Sequence, residues 1–382
     1  MRAAQVPLAV DTEFLTERRY APRLCLVQIY AEAPDGPIEA LVDPFGAPLD
    51  PLLPLLADPN ITKIVHSGGQ DLAIFANLGI KPAGVFDTQI AAAFLGYGHQ
   101  IGYADLVRRQ TGETLSKAQQ FTDWAARPLS PEQRLYALDD VRYLPRIETQ
   151  LREALVERGR LSWAQAEFAR LEARASLQPD EVDLLRKFNL VGLSRRQLAI
   201  LRELAVWREG VARRTDKPAT FIVPDATLLQ IAKHPPTTMQ DLRNTRGLPG
   251  MGAPALQEVM TALERAAGLK PDQLPERAIF ERPDSRAEPL ANLLSTLAAL
   301  RADEQQISRG YLAPRDQLTT LANWWVTSKG TAAPPELAIL SDWRHELVGA
   351  ELLRFLDGKI ALSAAPLARE NNATPAVRVV EF

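Results

Sequence analysis

Residues 7–14 read Pro-Leu-Ala-Val-Asp-Thr-Glu-Phe, an apolar run that stops at two carboxylates, Asp11 and Glu13. The apolar residues on both sides predict a strand. Side chains at i and i+2 lie on one face of a strand, so we expect the two acids side by side. Two like charges that close repel each other unless a cation lies between them. Two interpretations remain open at this point: carboxylate ligands of a divalent metal, or two solvated acids at a strand end.

The composition is that of a globular protein with more than one domain. The chain has 382 residues, of which 46% are apolar and 24% charged, and this length suggests two or three domains. No apolar run approaches the ~20 residues that span a bilayer, and the N-terminus lacks the pattern of a signal peptide. The single cysteine, Cys25, excludes an internal disulfide and is expected to be buried. We therefore expect a cytoplasmic protein without a membrane partner.

The N-terminal part alternates strand-like and helix-like runs. Residues 24–30 and 39–42 are expected to form strands, and turn residues at 34–36 predict a hairpin between them. Short strands are also expected at 63–66 and 84–86, each followed by a helical pattern. A hairpin followed by strand–helix units predicts a mixed sheet with helices on its faces.

The chain from residue 131 onward is mostly helical in pattern. A long helical stretch is expected at 131–174, and Ser-Pro-Glu at 130–132 predicts its capped start. Residues 222–232 and 312–322 share the frame apolar-x-Pro-x-x-x-Leu-x-x-apolar-Ala, which predicts two copies of one small helical domain. A charged segment with several prolines at 269–288 is expected to link the two copies.

Further acids lie where the pattern changes from strand to helix. Asp71 falls at such a turn, and Asp87 is expected to cap the helix that follows it. Tyr136 and Asp140 lie four residues apart on a predicted helix and therefore share a face. A pair of divalent metals ~3.5–4 Å apart, of the kind that cuts phosphodiesters, needs about four carboxylates. The candidate ligands are Asp11, Glu13, Asp71 and Asp140.

Three motifs in order resemble those of the DEDD exonuclease superfamily in its tyrosine-containing branch: DTEF at 11–14, HSGGQDL at 66–72 and YALDD at 136–140. The resemblance is closer still to the ribonuclease D family, through LSK at 115–117, DWAARPLS at 123–130 and QRLYA at 133–137. The helical repeat resembles the helicase-and-RNase-D C-terminal (HRDC) domain, which that family carries in two copies. The resemblance covers nearly the whole chain.

The resemblance implies a fold and an activity. It implies a ribonuclease-H-like α/β exonuclease domain at 1–175, followed by two all-α HRDC-like domains at 190–268 and 286–366. The expected activity is that of a metal-dependent 3′→5′ exoribonuclease that releases 5′-nucleotides from structured RNA such as transfer RNA precursors. Two Mg²⁺ or Mn²⁺ ions, RNA 3′ ends as partners and a monomeric state are expected with it.

The resemblance also implies a role for each acid of the site. Asp11 would bridge both metals, and Asp71 would hold the second one. Glu13 and Asp140 would complete the site of the nucleophilic water, which Tyr136 would position.

Two positions beside Tyr136 and Asp140 bear on this assignment. The histidine branch of the superfamily carries its histidine where this chain has Leu135, so the tyrosine branch is favoured. Asp139 is expected to face another direction, because the Tyr-x-x-x-Asp spacing selects Asp140.

Substrate contacts are expected from His66, Lys117 and Arg127. His66 has an alternative as a hydrogen-bonded structural histidine. Arg127 has an alternative as the ion-pair partner of an acid in the core.

Basic residues are concentrated in the first helical copy. Residues 194–266 hold eleven Lys or Arg and seven Asp or Glu, and Arg213 and Arg214 belong to a cluster that suits a phosphate-contacting face. The alternative is a solvated helix with ordinary charges. Residues 286–366 hold eight Lys or Arg and nine Asp or Glu, so we expect this copy to be mainly structural, with its tryptophans in the core.

Two other functions are compatible with parts of this pattern. A DNA 3′→5′ exonuclease would use the same site, although the chain lacks the phosphate-loop motif of the exonuclease–helicase proteins that share it. An RNA-binding scaffold without catalysis is disfavoured because all four acids are present.

Overall fold

Five strands form the predicted mixed sheet in a computed structural model that describes residues 6–116, 122–175, 181–248, 250–276, 284–364 and 377–382. They are β1 (Leu8–Leu15), β2 (Arg23–Ala33), β3 (Gly36–Val42), β4 (Lys63–Val65) and β5 (Val85–Asp87). Their order in the sheet is β3-β2-β1-β4-β5. The predicted hairpin is confirmed, because β2 and β3 pair antiparallel, whereas β4 pairs parallel with both β1 and β5.

Helices follow the strands in the order that the sequence predicts. They are α1 (Leu53–Ala57), α2 (Gly69–Asn77), α3 (Thr88–Ala93), α4 (Tyr103–Thr111), α5 (Pro131–Arg142), α6 (Leu144–Glu157) and α7 (Leu161–Ala175). The long helical stretch predicted from residue 131 is divided into three helices. Pro145 in the first turn of α6 has no amide hydrogen to continue the α5 ladder, and Gly159 takes a left-handed φ of +66° after α6.

The sheet is buried at its centre. Ala9 of β1, Ile64 of β4 and Phe86 of β5 are at most 1% exposed and belong to one apolar core with residues of α3 and α6. Strands covered by helices on both faces are expected to be almost continuously apolar, as these are. Cys25 is buried as predicted.

The first helical array has an apolar core of its own. Its helices are α8 (Glu181–Arg186), α9 (Arg195–Thr215), α10 (Ala219–Ile222), α11 (Asp225–Lys233), α12 (Met239–Arg243) and α13 (Ala253–Gly268). Leu201, Leu204 and Val259 are completely buried in that core. The array forms one compact unit, residues Ser176–Arg282, together with the segment Glu13–Cys25.

The second helical array repeats the local order of the first. Its helices are α14 (Ala287–Gln305), α15 (Arg309–Leu312), α16 (Arg315–Ser328), α17 (Asp342–Arg344) and α18 (Ala350–Leu356). In both arrays a long helix ends in a left-handed residue, Asp216 or Gln306, before a four-residue helix. The next helix then starts after a proline at its N-cap, Pro224 or Pro314. The hairpin of β6 (Ile360–Ala364) and β7 (Val377–Glu381) was not predicted.

This second array belongs to the same compact unit as the sheet, which combines Met1–Thr12, Leu26–Ala175 and Pro283–Phe382. Trp343 stacks on Trp163 of α7 with ring centroids 4.5 Å apart and planes 11° apart. The nearly buried ion pair of Arg344 and Glu167, at 2.6 Å, lies beside it. The tryptophans of this array are partly buried and pack against the apolar core, in agreement with the prediction that they serve packing. The domain boundaries stay a proposal.

Within the ranges described, every helix is too short or too polar to cross a bilayer.

Candidate active site

The edge at which β4 and β5 end brings together the first two acidic segments. The register pairs Ala9 with Ile64, so Asp11, two residues further along β1, reaches the edge at which β4 ends. The chain then turns through Ser67 and Gly68 into α2. A β-carbon at Gly68 would lie 2.6 Å from a Val65 methyl carbon, so this turn requires glycine. The turn places Asp71 in the first turn of α2, at the same edge.

Asp87 locks this edge of the sheet. It is 1% exposed, and its carboxylate accepts hydrogen bonds from the backbone amides of Gln89 at 2.8 Å and Ile90 at 3.1 Å. The predicted helix cap is therefore confirmed. The same carboxylate also accepts from the amides of Ser67 at 3.2 Å and Gly68 at 2.9 Å. One buried side chain thus joins the turn after β4 to the turn after β5.

Asp71 is held beside β1 by a neighbouring threonine. Its carboxylate accepts a hydrogen bond from the Thr12 hydroxyl, and both side chains are buried, with Asp71 only 7% exposed. Burial raises the pKa of Asp71 to about 6, although the hydrogen bond from Thr12 acts in the opposite direction. Asp71 is thus protonated more easily than an exposed aspartate.

Asp140 comes to the site on α5. Ser130 and Gln133 form a capping box at the start of this helix, which fixes where its turns begin. Burial raises the pKa of Asp140 to about 7, and the charge of Asp139 adds to the shift. Asp139 itself pairs with Arg142 at 2.8 Å. The two adjacent aspartates therefore have different electrostatic surroundings.

Tyr103 shows that the first and third acidic segments converge. Burial raises the pKa of its phenol well above the usual value, and the charges of Asp140 and Asp11 add to that shift. Both carboxylates therefore act on one side chain. The Tyr103 hydroxyl donates to the backbone carbonyl of Asp139 at 3.1 Å, one of the last four carbonyls of α5, which lack helical partners. The sequence gives no signal for Tyr103, because no motif spacing relates it to the acids.

Glu13 and Tyr136 share an element with Asp11 and Asp140. Glu13 is partly buried in β1 and, by strand alternation, lies on the same face as Asp11. Tyr136 is partly buried on α5, one turn before Asp140, and its ring centroid lies 6.0 Å from that of Trp124.

The donor set fits a hard divalent cation. Asp11, Asp71 and Asp140 offer carboxylate oxygens, and two of them have pKa values raised by burial, which a bound cation would reverse. Across the described ranges, no three His, Cys, Asp or Glu side chains are gathered into a metal-holding group. The hydrogen bond from Thr12 supplies one partner to the Asp71 carboxylate without an ion. Joint metal binding by the four predicted acids stays a prediction.

Two of the three residues predicted to contact substrate near the site have partners inside the protein. The Nε2 of His66 lies 3.0 Å from the Ile101 carbonyl and its Nδ1 lies 2.9 Å from the Thr88 hydroxyl, while burial lowers the pKa of the ring. These contacts agree with the alternative in which His66 is a hydrogen-bonded structural histidine. Arg127 pairs with Asp43 at 2.5 Å, which is the ion-pair alternative. Lys117 lies outside the described residues. RNA contacts by His66, Lys117 and Arg127 stay predictions.

The arginines of the first helical array also contact their own unit. Arg213 donates to the Tyr20 hydroxyl at 3.2 Å, and Arg214 pairs with Glu258 at 3.1 Å. Arg208 is buried and pairs with Asp225 at 2.7 Å. The predicted phosphate-contacting face stays a prediction. Arg208, a further basic residue of this array, is too buried to contribute to it.

Comparison with known proteins agrees with this architecture. Residues 1–156 match the family model described as 3′-5′ exonuclease, and residues 197–259 match that of the HRDC domain. Ribonuclease D of Acidiphilium cryptum is 37% identical over 95% of this chain and 91% of its own. Ribonuclease D of Sphingobium indicum is 37% identical over 95% of this chain and 92% of its own.

A solved structure shows the same arrangement over most of the chain. The crystal structure of Escherichia coli RNase D superposes with a TM-score of 0.75 at 32% identity, over 92% of this chain and 93% of that one. The family to which these matches point is metal-dependent, generally on Mg²⁺. From the sheet, the helical C-terminal region and these relatives together, we conclude that the chain belongs to the ribonuclease D family and is a 3′→5′ exoribonuclease.

Proposed function

We propose that this exoribonuclease trims the 3′ ends of structured RNA, transfer RNA precursors among them, by a two-metal-ion mechanism. The observation that carries the proposal is the buried hydrogen bond from the Thr12 hydroxyl to Asp71, which holds the acid of α2 beside β1, the strand of Asp11. The Tyr103 hydroxyl bonds the Asp139 carbonyl at 3.1 Å on α5, next to Asp140, and the charges of Asp140 and Asp11 both help to raise the pKa of Tyr103.

The proposed ligands of the ions are Asp11, Glu13, Asp71 and Asp140. Two bound ions, Mg²⁺ or Mn²⁺, would supply an activated water and neutralise charge on the leaving oxygen. The protein positions these ligands. Thr12 orients the Asp71 carboxylate, and Tyr103 holds the end of α5 through the Asp139 carbonyl. Tyr136 is proposed to orient the attacking water.

The substrate class is inferred from the relatives and from the chemistry of an end-trimming enzyme. The Escherichia coli relative is described as an exoribonuclease involved in structured RNA processing. An enzyme that removes successive nucleotides must accept every base, so its contacts go to the backbone and the strand end. We propose a monomer that acts in the cytoplasm on short single-stranded 3′ tails.

Metal titration of activity tests this proposal. The purified full chain is incubated with a hairpin RNA carrying a 3′ tail, at increasing Mg²⁺ or Mn²⁺, with an excess of chelator as the control. We expect release of 5′-nucleotides only with metal, and arrest near the base of the hairpin. Asp71→Asn is expected to bind the RNA but not to shorten it.

A matched DNA hairpin distinguishes RNA from DNA as the substrate. Faster digestion of RNA supports the proposal, whereas equal or faster digestion of DNA contradicts it. Nucleotide release that persists in chelator contradicts the metal mechanism.

A further inference from the structure

We propose that Asp43, Arg127 and Trp124 form a clamp that positions Tyr136, so that Arg127 acts inside the protein and not on the RNA backbone. The inference rests on the proposed role of Tyr136 in orienting the attacking water. All four residues lie in the compact unit that contains the sheet.

The guanidinium of Arg127 is hydrogen-bonded to acceptors within the protein. Its Nε and Nη2 donate to the two carboxylate oxygens of Asp43 at 2.5 and 2.9 Å, which is the bidentate geometry that a planar guanidinium favours. Its Nη1 donates to the backbone carbonyls of Trp124 at 2.9 Å and Ala126 at 2.8 Å. At least four of the five N–H groups are occupied in this way, so a bidentate phosphate contact would have to displace one of these acceptors.

Asp43 anchors the clamp to the sheet. It directly follows β3, and its carboxylate also accepts from the backbone amide of Phe45 at 2.9 Å. The guanidinium of Arg127 lies 4.7 Å above the Phe45 ring, in a cation–π contact. Arg127 therefore ties the residues around Trp124 to the end of β3.

A second tie runs from the same loop to α5, the helix that carries Tyr136. The buried side chain of Gln133 donates to the Thr122 hydroxyl at 3.1 Å and to the Asp123 carbonyl at 3.3 Å. Gln133 also belongs to the capping box that starts α5. The loop before α5 is thus fixed both to the sheet and to the helix.

Trp124 lies on this loop and contacts Tyr136 through its ring. It is 3% exposed, and its ring is tilted by 40° against the Tyr136 ring at a centroid distance of 6.0 Å, within the range of aromatic pairs. Its Nε1 is buried and, among the described residues, has no hydrogen-bond partner. A buried donor without a partner is unfavourable, so we infer that Trp124 contributes through the packing of its ring and not through its N–H group. A phenylalanine at position 124 should therefore preserve the contact with Tyr136.

The clamp is expected to act on turnover more than on binding. If Tyr136 is held in place for the chemical step, a looser Tyr136 lowers kcat, since small misplacements cost up to about 10²-fold in rate. RNA affinity would change little, because none of the clamp residues is proposed to contact RNA. A phosphate contact through Arg127 would instead appear mainly in KM.

The test compares kcat and KM of full-length variants with Mg²⁺ on the tailed hairpin RNA. Trp124→Ala and Arg127→Lys are expected to lower kcat about tenfold or more, with KM within about twofold. Trp124→Phe is expected to retain kcat within about threefold. Arg108→Lys, in the exposed pair of Arg108 and Asp105, is the matched control and should leave both constants unchanged. Thermal unfolding of each variant shows whether it is folded. If Trp124→Ala does not fold, Arg127→Lys alone tests the clamp.

The double variant of Trp124→Ala and Tyr136→Phe separates the clamp from the proposed function. If Trp124 acts through Tyr136, the double variant is no slower than Tyr136→Phe alone. Multiplied losses, or a raised KM with unchanged kcat, overturn the clamp while Tyr136 keeps its role. Full kcat in Tyr136→Phe overturns that role, and the clamp with it.

Discussion

The two sides of the active site are held in different ways. On the strand side, the Asp87 carboxylate, itself 1% exposed, accepts from four backbone amides, and the buried side chains of Thr12 and Asp71 bond each other. On the helix side, the contacts of α5 include those of partly exposed groups, such as the Tyr103 hydroxyl with the Asp139 carbonyl and Arg142 with Glu39. Buried bonds to backbone amides cost more to break than exposed ion pairs. We therefore expect the strand side to resist local unfolding more than α5, the helix that carries Tyr136 and Asp140.

Removing one acid from each side should abolish activity equally. Asp71→Asn and Asp140→Asn each replace a metal-ligating carboxylate by a neutral amide, and we expect kcat to fall about 10³-fold or more. Single-turnover degradation of the tailed hairpin RNA measures this. If a variant retains more than about a tenth of wild-type activity, the substituted acid is not a metal ligand of the site.

The rigidity of the strand side is tested by Asp87→Ala against Arg142→Ala. Loss of Asp87 leaves four backbone amides without their acceptor, two of them in buried bonds, which we expect to cost on the order of 3 kcal/mol of unfolding free energy. Loss of Arg142 breaks two ion pairs, with Glu39 and Asp139, whose side chains are about a third exposed, and should cost about 1 kcal/mol. Urea unfolding of both variants measures the difference. Equal costs would contradict the contrast between the two sides.

The raised pKa values predict opposite pH dependences with and without metal. Because the pKa of Asp71 is about 6 and that of Asp140 about 7, the folded metal-free chain binds more protons than the unfolded chain from about pH 4 to pH 7. The contribution of these groups to the stability of the metal-free protein should therefore fall as pH rises through this window. Mg²⁺ requires the ionised carboxylates, so the stabilisation it adds should grow with pH.

Thermal unfolding from pH 5 to pH 8, in chelator and in Mg²⁺, measures these two slopes. The Asp71→Asn, Asp140→Asn double variant is the control, because it lacks both groups. A Mg²⁺ stabilisation that is independent of pH would contradict the assignment of these acids as ligands.

The smallest effect is expected from Tyr103→Phe. It removes one hydrogen bond to the Asp139 carbonyl and should cost about 1 kcal/mol of stability and a few-fold in Mg²⁺ affinity. Tyr97→Phe, which removes a phenol that accepts a bond from Gln110 at 2.8 Å, is the matched control. A Tyr103→Phe protein with unchanged Mg²⁺ affinity would mean that this bond does not position Asp140.

Much of the architecture was predictable because local patterns determine it. The β2–β3 hairpin, the Asp87 cap and the Ser130 cap follow from turn and cap residues, and the structure confirms them. The proline frame of the helical repeat likewise predicted where α11 and α16 start.

What the sequence did not reveal depends on contacts between distant segments. Tyr103 and Asp139 are 36 residues apart and Arg127 and Asp43 are 84 apart, and no local spacing links them. The β6–β7 hairpin is not predicted, because strand signals fade after about residue 190 and the pattern there is mostly helical. Such long-range pairs are visible only once the fold has placed them together.

The central claim is that acids from β1, α2 and α5 hold a pair of catalytic cations. Anomalous diffraction from crystals soaked in Mn²⁺ tests it most directly. We predict two ions about 3.5–4 Å apart, bound by carboxylate oxygens of Asp11, Glu13, Asp71 and Asp140. Ions bound elsewhere, or none within reach of Asp71 and Asp140 at a pH where the protein degrades RNA, would contradict it.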